Sequence, residues 1–284
     1  MNLDPLKLPS LLRDHGIAPK KGLGQNFLVD EVFLQKIVEA GGIDTDTDVL
    51  EIGAGAGSLT RHLASAAGMV TAVEIDQALL PLLKKVLAPF NNVRVIAGDI
   101  FDQDISALMA RPGYVVAANI PYYITSALIR FLLESPLKPS RMVLTIQHEV
   151  AQRVCAPAGD LSLLALSVQL YGVPRIAFRI PAGAFYPAPT VDSAVLVVDL
   201  FPQPAIPQEQ IEDFFRLAKA AFGQKRKILH NTLAALPELD KESAAALLHQ
   251  AAIDPQRRAQ TLTLAEWEKL AGAYRFLKRD AGQP

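Results

Sequence analysis

Short apolar segments alternate with helix-like segments along most of the chain. Five of them predict buried strands, because each is short, mostly apolar and bounded by turn residues. They are Asp48–Ile52, Met69–Ile75, Val93–Ala97, Tyr114–Ala118 and Met142–Ile146. Strands that alternate with helices pair in parallel and are covered on both faces. The pattern therefore predicts an α/β fold with a mostly parallel sheet.

The segments between and beside these strands have helical periodicity. The predicted helices are Pro9–His15, 31–41, Leu59–Ala67, Gln77–Leu87, one that follows Thr125, Gln147–Val154 and Leu161–Leu170. Two further strands, Arg175–Ile180 and Ala194–Leu200, are joined by a proline-rich loop without a helix. A connection without a helix favours antiparallel pairing, so we expect a reversed region at one edge of the sheet.

A proline-rich stretch, Phe201–Pro207, predicts a boundary between two domains. We expect a catalytic domain with an N-terminal extension at 1–204 and a small all-helical domain at 205–284. The second segment has 12 Lys or Arg and 10 Asp or Glu, a net charge of +2, so the rest of the chain carries −3. Positive charge therefore leans toward the helical domain.

Composition limits the class of protein. The chain has 284 residues, 50% of them hydrophobic, which is enough for a full core, and a net charge of −1. Nucleic-acid binding would therefore depend on local basic patches rather than on global charge. The single cysteine, Cys155, fits a reducing compartment, and the five scattered histidines predict no metal site. The N-terminus lacks a signal peptide pattern and no apolar run could span a bilayer, so we expect a cytoplasmic protein without a membrane partner.

A glycine-rich loop, Gly53-Ala54-Gly55-Ala56-Gly57, follows the first predicted strand. Such a loop lets a nucleotide approach the backbone at the carboxyl end of a parallel strand. Dinucleotide sites typically have the spacing G-x-G-x-x-G, but Ser58 stands at the sixth position here. The G-x-G-x-G spacing therefore favours S-adenosylmethionine over NAD.

Two acidic residues end the next strands. Glu74 could accept hydrogen bonds from ribose hydroxyls, although an acid at this place serves NAD equally well. Asp99 could accept a hydrogen bond from the adenine amine of the cofactor, with Ile75 and Ile100 on the two faces of the ring. An aspartate that caps a helix is the alternative interpretation of Asp99.

The tetrad Asn119-Ile120-Pro121-Tyr122 follows the fourth strand and carries the most chemical information. The amine of adenine is a poor nucleophile, because its lone pair is delocalised into the ring. The Asn119 side-chain oxygen and the Ile120 carbonyl could accept hydrogen bonds from the two N–H groups of this amine. Pro121 restricts the backbone of Ile120 and so sets the direction of that carbonyl. Tyr122 could stack on a base that has left its helical stack. The tetrad thus predicts methyl transfer to an adenine amine. A strand-ending loop with a rigid X-Pro pair and a packed tyrosine is the alternative interpretation.

These motifs, in this order, resemble the ribosomal RNA adenine N6,N6-dimethyltransferases, specifically the bacterial KsgA (RsmA) type. Other matching segments are Gly24–Leu28, Glu74–Asp76, Gly98-Asp99, Gln147–Arg153, Phe185–Val195 and Ala221–Lys227. The resemblance spans almost the whole chain. It implies a class I methyltransferase (Rossmann-like) domain followed by a helical domain. Tyr123 departs from the pattern, because many bacterial members have Asn there.

The resemblance also implies roles for residues that the pattern alone interprets differently, with Gln25–Leu28 as the entry to a helix and Phe185 as a core residue. The catalytic set becomes Asn119, Ile120, Pro121, Tyr122 and Phe185, with Phe185 opposite Tyr122 at the target base. The implied cofactor contacts are Gln25, Asn26, Leu28, Gly53, Gly55, Glu74, Ile75, Asp99, Ile100 and Asn119. The cofactor is S-adenosylmethionine, with S-adenosylhomocysteine as product and no metal.

The implied substrate is a pair of adjacent adenosines in the 3′-terminal hairpin of 16S rRNA, dimethylated within an immature 30S subunit late in its biogenesis. Basic residues that could contact phosphates are Lys20, Lys21, Arg153, Lys225, Arg226, Lys227, Arg257 and Arg258. A solvated helix face is the alternative interpretation of each charge run. No self-complementary seam is evident, so we expect a monomer.

Three other functions remain open at this point. A sister group methylates one adenosine of large-subunit RNA and confers macrolide resistance, but the Phe185–Val195 segment and the helical domain favour the small-subunit enzymes. A ribosome-assembly factor that mainly binds RNA is a second alternative, although the intact Asn119–Tyr122 tetrad argues for catalysis. An NAD-dependent dehydrogenase is a third, and it lacks the expected glycine spacing.

Overall fold

The computed structural model describes residues 3–224 and 226–280. It divides the chain into two compact units. One comprises the described residues up to Ala151 together with Val173–Leu200, and the other comprises Gln152–Gly172 and the described residues from Phe201 onward. The predicted boundary at 204/205 thus lies close to the division after Leu200. Residues 152–172, which sequence analysis assigned to the first domain, belong to the second unit instead.

Nine strands form two sheets in the described chain. They are β1 (Phe27–Leu28), β2 (Asp48–Ile52), β3 (Met69–Glu74), β4 (Val93–Ala97), β5 (Val115–Asn119), β6 (Arg141–Gln147), β7 (Gly172–Ile180), β8 (Phe185–Tyr186) and β9 (Ser193–Leu200). The large sheet has the order β4-β3-β2-β5-β6-β9-β7, and β1 pairs with β8 in a separate antiparallel ladder. In the large sheet β4, β3, β2, β5 and β6 are parallel, and β9 runs antiparallel to β6. The predicted mostly parallel sheet with a reversed edge region is confirmed.

Helices connect the strands and make up the rest of the fold. They are α1 (Leu8–Asp14), α2 (Glu31–Gly41), α3 (Ser58–Ala66), α4 (Leu80–Leu87), α5 (Ile105–Leu108), α6 (Thr125–Glu134), α7 (His148–Val154), α8 (Leu163–Gln169), α9 (Ile211–Phe222), α10 (Leu229–Leu233), α11 (Lys241–Gln250) and α12 (Leu264–Asp280). Local signals set their ends: Asp30 caps α2 by accepting from the Val32 amide, and Gly42 ends it with a left-handed φ of 59°.

The central strands are buried on both faces. In β2 the neighbours Val49 and Leu50 point to opposite faces, and neither is exposed to solvent. Leu34 and Leu63, from α2 and α3, belong to the same core cluster as Val49. Covered faces make a parallel sheet stable and leave the strand ends free to carry polar loops.

The N-terminal helix α1 has its own small core. Leu8 and Leu12 are fully buried and cluster with Ala56, Leu79 and Leu82. Ala56 is part of the glycine-rich loop, so α1 shares a hydrophobic cluster with the segment that sequence analysis assigned to the cofactor. The N-terminal extension is therefore an integral part of the first unit.

The second unit contains α8 to α12. Its core includes an aromatic cluster in which the Trp267 ring lies 5.9 Å from Phe222 and 6.2 Å from Phe214, between ring centroids. Asp213 is buried and accepts from Lys278 Nζ at 3.2 Å. Among the described residues of either unit, no helix is long and apolar enough to cross a membrane.

Candidate active site

The loop after β2 needs glycine at its alternating positions. Gly53, Gly55 and Gly57 all have left-handed φ, at 79°, 60° and 89°. A Cβ on Gly55 would lie 3.0 Å from the Phe27 ring. At Gly53 it would meet nothing closer than the Asn119 carbonyl oxygen, at 3.8 Å. The loop therefore turns sharply at the carboxyl edge of the sheet. Because Gly53 has no side chain, there is open space beside its backbone on the side that faces β5.

Glu74 connects this loop to the end of β3. Its carboxylate accepts from the Gly55 amide at 2.6 Å and from the Asp76 amide at 2.7 Å. Burial raises the pKa of Glu74, and these two amide hydrogen bonds oppose the rise. Glu74 thus holds the glycine loop in place, and it lines the cavity in front of it.

A second acidic side chain of this loop segment is buried. Glu51 has an exposed fraction of 1%, and its Oε2 atom has no hydrogen-bond partner in the described chain. Burial, together with the charge of the nearby Glu74, raises the pKa of Glu51 to about 8. Glu51 is therefore mostly protonated at neutral pH. Sequence analysis gave it no role.

Two adjoining cavities, of about 80 and 90 Å³, form a cleft along the carboxyl edge of the sheet. Both are lined by Leu23, Gly53, Ile75, Ile120 and Pro121. The first also contains Gln25, Asn26, Gly55, Glu74, Asn119, Tyr122 and Phe185, and the second contains Asp99 and Ile100. The structure thus brings the predicted catalytic and cofactor residues into one cleft, with Leu28 as the exception.

Leu28 lies in the core rather than in the cleft wall. Its side chain is buried, with 3% exposed, and belongs to the same cluster as Val195. Leu28 pairs with Phe185 across the β1–β8 ladder, which places Phe185 at the edge of the cleft. The sequence carried no signal for this ladder, because each strand has two residues and they lie far apart in the chain.

The part of the cleft lined by Asp99 and Ile100, where sequence analysis expects an adenine ring, differs from the expected arrangement. Ile75 is 47% exposed and can contact a ring, but Ile100 is only 4% exposed. Asp99 caps a short 3-10 turn by accepting from the Phe101 amide at 3.0 Å, which was the alternative interpretation of this residue. The exposed aromatic side chains here are Phe101 and Tyr123, which sequence reasoning did not assign to the cleft.

The orientation of the Asn119 amide is fixed by the N-terminal segment. Its Nδ2 atom donates to the Asn26 carbonyl at 2.9 Å. Because the amino end is engaged there, the Oδ1 atom is left as the acceptor for another group. This is the arrangement that an acceptor for the adenine amine requires.

Tyr122 is held by its hydroxyl group. The Tyr122 Oη and Ser193 Oγ atoms are 2.9 Å apart, and Ser193 is completely buried at the start of β9. Burial raises the pKa of the phenol, so it stays neutral. The ring itself lines the cleft together with Phe185. Tyr122 therefore presents a fixed aromatic ring to the cleft, while Phe185, which is 5% exposed, lines the cleft from a largely buried position.

The predicted RNA contacts fall into three groups. Lys21, Arg153, Arg226, Lys227 and Arg258 are exposed. Lys20 and Arg257 form ion pairs within the protein, with Asp76 and Glu266 respectively, so part of their charge is already balanced there. Lys225 lies outside the described residues.

In the part of the chain that the structure describes, no group of three or more His, Cys, Asp or Glu side chains is placed to hold a metal ion. The acids of the cleft are bound to backbone amides instead, as the Glu74 and Asp99 contacts illustrate.

The fold and the cleft define a Rossmann-like enzyme with a nucleotide site at the carboxyl edge of its sheet. Residues 18–270 match the model of the family described as ribosomal RNA adenine dimethylase. The chain belongs to this family.

Curated relatives cover nearly the whole chain. "Ribosomal RNA small subunit methyltransferase A" of Dehalococcoides mccartyi (strain ATCC BAA-2266 / KCTC 15142 / 195) is 43% identical over 266 residues, which is 93% of this chain and 91% of the relative. The protein of the same name from Pelotomaculum thermopropionicum is 41% identical, covering 95% and 96%.

Two solved structures are also similar. A dimethyladenosine transferase from Plasmodium falciparum matches with a TM-score of 0.75 and 25% identity, covering 90% of this chain and 98% of that one. The 23S rRNA methyltransferase ErmE matches with a TM-score of 0.70 and 26% identity, covering 87% and 99%. The resemblance inferred from the motifs is thereby confirmed at the level of family and fold.

Proposed function

We propose that the protein dimethylates the N6 atoms of two adjacent adenosines in the 3′-terminal hairpin of 16S rRNA, with S-adenosylmethionine as methyl donor. The observation that carries the proposal is the Asn119 amide. Its Nδ2 atom is held by the Asn26 carbonyl at 2.9 Å, in the cleft that also contains the glycine loop, Tyr122 and Phe185. Membership of the adenine dimethylase family supports the same reaction.

The residues present fit the cofactor. Gly53 gives the close backbone approach, and the exposed Ile75 gives an apolar wall for an adenine ring. Asp99 and Glu74 supply carboxylate oxygens that can accept from an exocyclic amine and from ribose hydroxyls. When bound, S-adenosylmethionine would supply a methyl group carried on a sulfonium centre. The sulfonium becomes a neutral thioether when the methyl group is transferred, so the transfer needs no metal.

The chain's own residues position and polarise the target base. Asn119 Oδ1 accepts one hydrogen of the amine and the Ile120 carbonyl accepts the other, so the nitrogen lone pair turns toward the methyl group. Tyr122 and Phe185 hold the ring from its two sides and keep water out. Catalysis then comes from in-line positioning and from stabilising positive charge on the nitrogen, and the proton leaves to water. A monomethylated base still offers one N–H, so the same pocket can act twice.

The proposed partner is 16S rRNA in an immature 30S subunit, bound late in assembly by a monomer in the cytoplasm. The exposed side chains of Lys21, Arg153, Arg226, Lys227 and Arg258 are the proposed phosphate contacts. The proposal assigns catalysis to domain 1–204 and RNA binding mainly to domain 205–284. Lys21 is a further contact from the N-terminal extension, and Arg153 is one from the 152–172 segment of the second unit.

A second candidate is methylation of an adenosine in large-subunit RNA, which the similarity to ErmE supports. The curated relatives with 41–43% identity favour the small subunit. Purified protein with methyl-labelled S-adenosylmethionine should label 16S rRNA in small subunits that lack base methylation. Label in 23S rRNA alone would favour the second candidate, and label in neither RNA would contradict both.

A further inference from the structure

A segment of the N-terminal extension, Lys20–Asn26, lies along the cleft, and we refer to it as the strap. Leu23 lines both cavities of the cleft, and Gly24, Gln25 and Asn26 line the first. A Cβ on Gly24 would lie 3.1 Å from Pro121 and 3.3 Å from the Tyr123 ring. The strap therefore packs directly on the tetrad that is proposed to bind the target base.

One end of the strap is anchored on Asp76. The Asp76 side chain is 1% exposed, and its carboxylate accepts from Lys20 Nζ at 2.7 Å and from Gln25 Nε2 at 2.8 Å. Gln25 Oε1 in turn accepts from the Lys20 amide at 2.7 Å. Both polar ends of the Gln25 side chain are thus used within the protein. The segment between Lys20 and Gln25 is closed into a loop by these bonds.

The other end of the strap holds the Asn119 side chain. The Asn26 carbonyl accepts from Asn119 Nδ2, while Asn26 Nδ2 donates to the Gly24 carbonyl at 3.2 Å. A displacement of the strap would move the acceptor that fixes the Asn119 amide. Asp76 is therefore linked to Asn119 by hydrogen bonds at the two ends of the strap, which are joined by the covalent backbone from Gln25 to Asn26.

Asp76 is ionised at neutral pH. Burial alone would raise the pKa of its carboxyl, but the hydrogen bonds from Lys20, Gln25 and the Ala78 amide together lower the pKa below its ordinary value. Charge-assisted hydrogen bonds of this kind are among the strong ones in proteins.

We propose that Asp76 is a positioning residue for methyl transfer: it anchors the strap through Lys20 and Gln25, and the anchored strap orients Asn119 and covers the bound cofactor. This inference rests on the proposed function. It gives Lys20 and Gln25 a role in holding the strap, in place of direct contact with RNA or cofactor.

Lys20→Met tests the inference, because Lys20 is half exposed and its loss leaves the core intact. The affinity for S-adenosylhomocysteine should fall by about tenfold, because part of the binding free energy must then be used to order the strap. The single-turnover rate at saturating cofactor and RNA should also fall, because Asn119 is less well oriented. Lys20→Arg, which can keep the ion pair, should restore both quantities.

Lys84→Met is the matched control, since Lys84 is an exposed lysine of α4 in the same unit that lines neither cavity of the cleft. It should leave S-adenosylhomocysteine affinity unchanged. If Lys20→Met binds S-adenosylhomocysteine and reacts at saturating RNA like the wild type, losing only RNA affinity, then Lys20 is an RNA contact and the inference is wrong. Wild-type protein that methylates neither rRNA would refute the proposed function itself, and the inference with it. The wild-type reaction therefore distinguishes the two failures.

Discussion

At the scale of single residues, the cleft is built from side chains whose polar ends are already engaged. Asn119 donates to the Asn26 carbonyl, and Tyr122 bonds to Ser193. Such contacts hold a side chain in one rotamer before the substrate binds, so less conformational entropy is lost when the target base binds. What remains available for chemistry is the Asn119 oxygen and the ring of Tyr122, which lines the cleft.

Replacing Asn119 by alanine removes that oxygen acceptor and leaves the glycine loop in place. We expect the single-turnover rate of methyl transfer to fall by on the order of 10²-fold, the usual loss for one preorganised polar group at a reacting centre. The affinity for S-adenosylhomocysteine, measured by calorimetry, should change only severalfold. Asn231→Ala, at an exposed asparagine of α10, is the matched control. Wild-type turnover in the Asn119 variant would refute the assigned role.

Glu51 makes stability depend on pH. Its pKa is about 8 in the folded protein and near 4.5 when unfolded, so the folded state binds a proton that the unfolded state releases between these values. The free energy of unfolding should therefore fall as pH rises from about 4.5 to about 8, by on the order of 1 kcal/mol per pH unit, and then level off.

Glu51→Gln removes this titration. Urea denaturation should show little difference between the variant and the wild type near pH 4.5, and a more stable variant at pH 8. An advantage of the same size at both pH values would show that the carboxyl does not titrate in this range. Thr71→Ser provides a control for disturbance of a neighbouring buried strand position.

At the scale of elements, the sequence predicted what local patterns encode. The five parallel strands and the glycine turn follow from apolar segments bounded by turn residues, and the structure places them as expected. The β1–β8 ladder and the Lys20–Asp76 ion pair could not be predicted, because each joins residues far apart in the chain and neither has a periodic signature. Leu28 shows the same limit: its motif suggested a cofactor contact, but tertiary packing puts its side chain in the core.

Helix α1 shows how an element outside the sheet supports the cleft. Leu12→Ala should lower the free energy of unfolding by about 2–5 kcal/mol, because Leu12 is buried beside Ala56 of the glycine loop. Leu11→Ala removes the same atoms from a partly buried neighbour and should cost less. Chemical denaturation measures both. Equal losses for the two variants would contradict tight packing of α1 on the loop.

At the scale of the whole molecule, charge is distributed unevenly although the net value is −1. Residues 205–284 carry +2, and the exposed Arg226 and Lys227 lie in this part of the chain. A protein with so little overall charge has weak long-range attraction for RNA, so affinity depends on a few local contacts. We therefore expect RNA binding that is sensitive to single basic clusters.

Reversing Arg226 and Lys227 together to glutamate should weaken RNA binding and reduce the slope of log K against log salt by about 2, one for each lost phosphate contact. Filter binding over a range of salt concentrations measures the slope. Lys241→Glu with Lys269→Glu changes the net charge equally at other exposed sites and should leave the slope nearly unchanged. Equal effects from both double variants would exclude a specific contact by the first pair.

One cleft is proposed to add two methyl groups to each of two adjacent adenosines. This can be measured by incubating the protein with S-adenosylmethionine and small subunits that lack base methylation, digesting the 16S rRNA, and identifying nucleosides by mass spectrometry. We expect N6,N6-dimethyladenosine at two neighbouring positions of the 3′-terminal hairpin. Monomethyladenosine as the final product, or dimethyladenosine confined to 23S rRNA, would contradict the proposed function.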